Sequence, residues 1–200
     1  MLSQPPPRYA RQRGVSLIEV LVTLLILAFG LLGVAGLQAK MSLAEMESYQ
    51  RSQALMALTE MTERMNANPA QITSYLNAGT LGTGNSTQPI PQPANCNPLS
   101  GPALDLCQWN ISLQGASEQK AAANVGGTIG AVGCITQLQA INPAAGVCTA
   151  GIYRVSVAWQ GLNPTRAVPT LTCGAGSFGA NDANRRVIAT TVTVGTKSCF

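Results

Sequence analysis

Glu19 is the only ionisable residue in the run VSLIEVLVTLLILAFGLLGVAGL, residues 15 to 37. A carboxylate in such a helix costs roughly 2.5 to 3.5 kcal/mol at mid-bilayer on insertion scales, so it is read as functional, and its natural partner is a positive group. Gly14, small and unbranched, stands directly before that run. The thirteen residues preceding it, MLSQPPPRYARQR, are polar, broken by proline and basic. Basic residues ahead of an apolar helix hold that end in the cytoplasm, which sends the rest of the chain outward. A secretory signal peptide would carry small residues in an A-x-A-like pattern after its apolar stretch, and Leu37-Gln38-Ala39 fits that pattern badly.

Other chemistry is scarce. The chain has no histidine and its six cysteines, Cys96, Cys107, Cys134, Cys148, Cys173 and Cys199, are never closer than eleven positions. Zinc sites use close Cys or His pairs, so the cysteines are expected as disulfides in an oxidising compartment and no metal is expected. Six cysteines allow fifteen connectivities, which the sequence leaves open; nearest-neighbour pairing (Cys96 with Cys107, Cys134 with Cys148, Cys173 with Cys199) is the preferred expectation. Beyond Asn68 the only acids are Asp105, Glu118 and Asp182, far apart in sequence. That is thin material for acid–base catalysis, and no enzyme, catalytic residue or cofactor is expected.

Charge excludes a further class. The formal net charge is +4, from twelve Lys and Arg against eight Asp and Glu. Arg8, Arg11 and Arg13 lie before Gly14, so a cut there leaves nine basic residues against eight acids. The remaining basic residues of the exported half (Lys120, Arg154, Arg166, Arg185, Arg186, Lys197) are scattered, where a nucleic-acid footprint needs a stripe. Arg185 and Arg186 read as a solvated strand edge. The glycine-rich stretches around Val125–Gly130 and Cys173–Gly176 lack the Lys-Ser/Thr of a phosphate loop and read as turns.

Gly14, an apolar residue, three more and then Glu19 resembles the prepilin signature of type IV pilins and pseudopilins, most closely over residues 8 to 40. The resemblance implies that a membrane prepilin peptidase cuts after Gly14 and that the new amino terminus is methylated. Val15, standing where the family usually has Phe, is then the first mature residue. Glu19 is implied to recruit subunits by pairing with the amino terminus of a neighbour's Val15. The segment TERMNANP, residues 62 to 69, resembles the PilV group of minor pilins, while type II secretion pseudopilins share the N-terminal signature. The implied partners are other minor pilins, the major pilin, the inner membrane and a tip adhesin; the implied role is priming of pilus assembly, with a periplasmic head.

These residues need elements to place them. Val20 to Ala39 carries no charge and is long enough to span a bilayer. Beyond it Leu58, Met61 and Met65 recur at helical spacing, and the pairs Glu47 with Arg51 and Glu60 with Arg64 stand four apart with the acid first. Pro69 should end the helix at Asn68, giving about 80 Å from Val15 at 1.5 Å per residue. Residues 77–103, rich in Gly, Pro, Asn, Ser and Thr, read as a long loop. Three segments alternate like half-buried strands, carrying Trp109, Ile111 and Leu113, then Tyr153, Val155, Val157 and Trp159, then Ile188, Thr190, Val192 and Val194; a further strand is expected around Thr128–Leu138. Such a sheet needs an apolar cover, and the second half of the long helix is the candidate. The expected fold is therefore α+β and pilin-like, divided into a leader (1–14), an anchor and assembly helix (15–68) and a disulfide-bonded head (69–200).

Overall fold

The computed structural model describes residues 14–83, 96–116, 119–120, 123–124, 126–144, 146–166 and 168–195. By contacts the chain forms two units, residues 1–44 and 45–200. Helix α1 runs from Leu17 to Ala67 and stops one residue short of Asn68-Pro69, as the exclusion of a pre-proline residue from helical geometry requires. The chain continues as a 3-10 helix, Pro69–Ala78. The short strand β1 (Thr80–Gly82), helix α2 (Gly101–Leu113), the small hairpin β2 (Gln119–Lys120) and β3 (Ala123–Asn124), and strands β4 (Val132–Gln139), β5 (Gly151–Gln160) and β6 (Arg185–Val194) follow.

The main sheet is antiparallel with order β1-β4-β5-β6. The alternation in β5 and β6 predicts the observed faces: Tyr153 lies opposite Val192, Val155 opposite Thr190 and Val157 opposite Ile188. Their cover is the later part of α1, whose Ala54, Leu58, Met61 and Met65 join Tyr153, Val155, Val157, Trp159, Val192 and Val194 in one apolar core. The architecture is α+β, a long helix packed on a small antiparallel sheet.

Three expectations are corrected. Trp109, Ile111 and Leu113 belong to α2, which is a helix and not a strand. Leu106, Trp109, Asn110 and Leu113 are buried at offsets of three, four and seven, and Pro102 occupies the first turn, where its missing N–H has no helical partner to lose. Residues 77–103 are not one loop, since β1 lies inside the segment and α2 begins in it; residues 84–95 lie outside the described residues. The strand expected from Thr128 begins only at Val132, after a turn in which Gly130 has φ +62°.

The second core lies on the opposite face of the sheet, where Val132, Ala158, Cys173 and Phe178 pack together. The disulfide Cys134–Cys173 ties the 161–184 segment to β4 there. Cys96–Cys107 joins the approach to α2 to the helix itself. Nearest-neighbour pairing therefore holds for Cys96 with Cys107, but not for Cys134 with Cys148 or Cys173 with Cys199. The reason is topological: pairing of β4 with β5 places Cys134 beside Ser156 on the outer face, where the returning segment delivers Cys173. Cys148 is also disulfide-bonded, and among the described residues no cysteine is free; Cys199 lies outside them.

Candidate functional site

The helix start is built from exposed residues. Gly14 precedes the helix, and a Cβ placed on it meets nothing within 4 Å among the described residues. The backbone N–H of Glu19 bonds to the Ser16 carbonyl at 3.0 Å, which sets Glu19 in the first turn, where the helix dipole favours an acid. Val15 is 70% exposed and Leu17 83%. Every residue from Gly14 to Met46 is exposed, and the first buried residue of α1 is Gln50.

That exposure sets the helix apart from one class of apolar helix. The core helix of a soluble protein would be covered by its own chain, whereas none of the most apolar stretch of α1 is buried, and the helix is long and apolar enough to cross a membrane. An uncovered apolar surface of this length fits anchoring in a membrane.

A family model described as the prokaryotic N-terminal methylation motif matches residues 9–35. The match supports a type IV pilin-like prepilin, processed by prepilin peptidase and assembled with other pilins. It spans Gly14, Val15 and Glu19 and most of the membrane-length stretch. Arg8, Arg11 and Arg13 lie outside the described residues. No curated protein and no solved structure matches the chain.

Where the helix meets the head, a polar lock forms that little in the sequence announces. Arg64 pairs with Glu60 and with Asp105, each at 2.9 Å, and donates to Gln108 Oε1 at 2.7 Å. The Tyr75 hydroxyl and the Asn68 amide both donate to the other Asp105 oxygen, Oδ2. Two residues of the TERMNANP segment, Arg64 and Asn68, thus fasten the end of α1 to α2 through one carboxylate. Burial tends to lower the Arg64 pKa, but its bonds to Asp105 and Glu60 outweigh that and leave it raised. Burial, then donation to Asp105, pushes Tyr75 up to about 12. Asp105 is thereby a structural acceptor. The four-residue spacing of Glu60 and Arg64 was the legible part of this cluster; Asp105 and Tyr75 reach it only through the fold.

Two expectations about charge are also corrected. Glu47 pairs with Arg186 at 3.0 Å in place of Arg51, because Arg186 lies opposite Trp159 on the helix-covered face of the sheet. Arg185, expected at a solvated edge, is 5% exposed. Its guanidinium donates to the carbonyls of Val168, Leu171 and Cys173 and contacts Asp182 at 3.3 Å. Asp182 in turn accepts from the Gly176 N–H at 2.8 Å. The remaining head acid of the catalytic reading, Glu118, lies outside the described residues, and among the described residues no group of acids and cysteines could hold a metal.

Proposed function

We propose that this chain is a minor pilin of the PilV group that joins a starter stack for type IV pilus assembly, cut after Gly14, methylated at Val15 and recruited through Glu19. The observation that carries the reading is the coincidence of the methylation motif over residues 9–35 with a helix exposed from its start to Met46. In a stack of such helices, a Glu19 carboxylate facing a neighbour's Val15 amino group would neutralise both charges away from water, where each alone is costly. The segment TERMNANP favours the minor-pilin group, and its Arg64 and Asn68 have a defined task at the helix end. In this reading the helix crosses the inner membrane once, the head is periplasmic, and other minor pilins, the major pilin and a tip adhesin are the partners.

Deleting the gene should sharply reduce surface pili while the major pilin still accumulates in the membrane. Mass spectrometry of the mature chain should give methylated Val15 as the first residue. Normal pilus number with a defect in exoprotein secretion would instead identify a type II secretion pseudopilin. An amino terminus near Lys40 would mean ordinary secretion and remove both readings.

A further inference from the structure

The outer face of the sheet, opposite the one covered by α1, carries an open groove of roughly 720 Å³, within the size range of small-molecule sites. Its floor is formed by two cross-strand pairs of β4 and β5, Cys134 with Ser156 and Thr136 with Arg154. Thr80 lies on one side and the segment bearing Thr172 and Ser177 on the other. The second wall is fixed in place by the Cys134–Cys173 disulfide and by Arg185, which holds the Leu171 and Cys173 carbonyls.

The chemistry of this lining is one-sided. Among the described residues it contains one guanidinium, that of Arg154, five hydroxyl side chains, no acid and no aromatic ring. Arg64, Arg185 and Arg186 each hold a carboxylate, whereas among the described residues no hydrogen bond or ion pair engages the Arg154 side chain. Its cross-strand neighbours, Thr136 and Thr191, are uncharged. Ser156 is 5% exposed, yet its hydroxyl has no hydrogen-bond partner among the described residues. Ser156 and the half-buried Arg154 side chain line one groove that is open to solvent, so a ligand that meets both exchanges their contacts with water for hydrogen bonds held in one place.

We infer that this groove binds a carboxylate-bearing saccharide, with Arg154 taking the carboxylate and the Ser and Thr side chains taking sugar hydroxyls. One guanidinium matches a monoanionic carboxylate, held by two parallel N–H···O bonds; a phosphate monoester would leave excess charge unmet. A bare carboxylate would leave the hydroxyls idle. An acidic peptide would need apolar side pockets or a free strand edge, and the groove floor is the middle of a paired sheet. The assignment concerns a surface remote in sequence from Gly14 and Glu19 and stands independently of the assembly role.

The test is calorimetric titration of the full chain in detergent micelles with tetragalacturonate, using uncharged maltotetraose as control. Tetragalacturonate should bind, weakening with added salt, and maltotetraose should bind about tenfold more weakly or not at all. Arg154→Gln should weaken the acidic sugar by about tenfold, and Thr172→Val, which keeps shape and charge, by a smaller factor. Intact disulfides by mass and an unchanged circular dichroism spectrum establish that both variants fold. Affinity unchanged in Arg154→Gln, or no binding at millimolar tetragalacturonate, would overturn the assignment. So would binding of polyglutamate through Arg154 without binding of the sugar.

Discussion

Glu19 and Asp105 are two carboxylates with opposite settings. Asp105 is surrounded by Arg64, Asn68 and Tyr75, while Glu19 lies on an exposed helix turn and no ion pair engages it among the described residues. Replacing Glu19 with Gln should leave cleavage, insertion and the head intact, since neutralising an intramembrane acid eases insertion. Recovery of partner pilins by co-immunoprecipitation at matched expression should fall severalfold. Equal recovery would leave Glu19 without the recruiting role. Tyr75 gives a prediction of a different kind. Its raised pKa means that its contribution to stability is fully present below about pH 10 and is lost as pH rises towards about 12. Tyr75→Phe removes a bond to a half-buried carboxylate and should cost about 1 to 3 kcal/mol at pH 8. The gap between the two proteins in urea unfolding should narrow from pH 9 to pH 11.5; a constant gap would show that the hydroxyl does not titrate with folding.

Among the elements, β5 and β6 were legible because β-branched and aromatic residues recur on one face over seven positions, Tyr153 to Trp159 and Ile188 to Val194, and α1 because its period holds over many turns. α2 was not legible as a helix. Trp109, Ile111 and Leu113 satisfy alternation over too short a run to exclude a helix, and the deciding partners, Leu106 and Asn110, become visible only when the whole turn is considered. The packing of α2 on β4 leaves a mark at Gly133, where an added Cβ would lie 2.4 Å from Trp109 Cη2 and 2.6 Å from Leu113 Cδ1. Gly133→Ala should therefore destabilise the head by about 1 to 3 kcal/mol through overpacking, and an unchanged thermal midpoint would contradict that contact. The disulfides illustrate the same limit, because Cys134 and Cys173, 39 positions apart, meet only through sheet pairing. In the chain-entropy account, a loop of that length contributes about 4 kcal/mol and the Cys96–Cys107 loop about 3 kcal/mol. Removing Cys134 and Cys173 together should thus cost more than removing Cys96 and Cys107, measured by denaturant midpoint; the reverse order would assign the larger constraint to the approach to α2. Of the candidate sites, the methylation motif was legible because its residues lie close together in sequence, and the processing and recruiting roles proposed for Gly14, Val15 and Glu19 rest on it, whereas the Arg154 groove depends on strand register.

At the scale of the whole molecule, the same helix serves two environments, exposed up to Met46 and part of the core from Gln50 onward. A soluble head cut at Asn68 would lose Ala54, Leu58, Met61 and Met65 from the core, together with the bond from Trp109 Nε1 to the Ala57 carbonyl at 2.8 Å. A fragment beginning at Glu45 should unfold cooperatively, and one beginning at Pro69 should not, as judged by near-ultraviolet circular dichroism. Two cooperative transitions of equal midpoint would mean that the sheet holds its shape without α1.

The interlocked helix end also has a mechanical meaning. With Met61 and Met65 buried among sheet side chains and Arg64 clamped to Asp105, residues 50–65 have no hinge at which to give. A pull along this part of the helix becomes shear across the whole packed layer, and many contacts must break at once. In single-molecule pulling from the helix end, wild type should yield in one high-force event, and Arg64→Ala should yield at lower force without gaining an intermediate. A stepwise peeling of α1 from the sheet would show instead that its contacts fail one turn at a time.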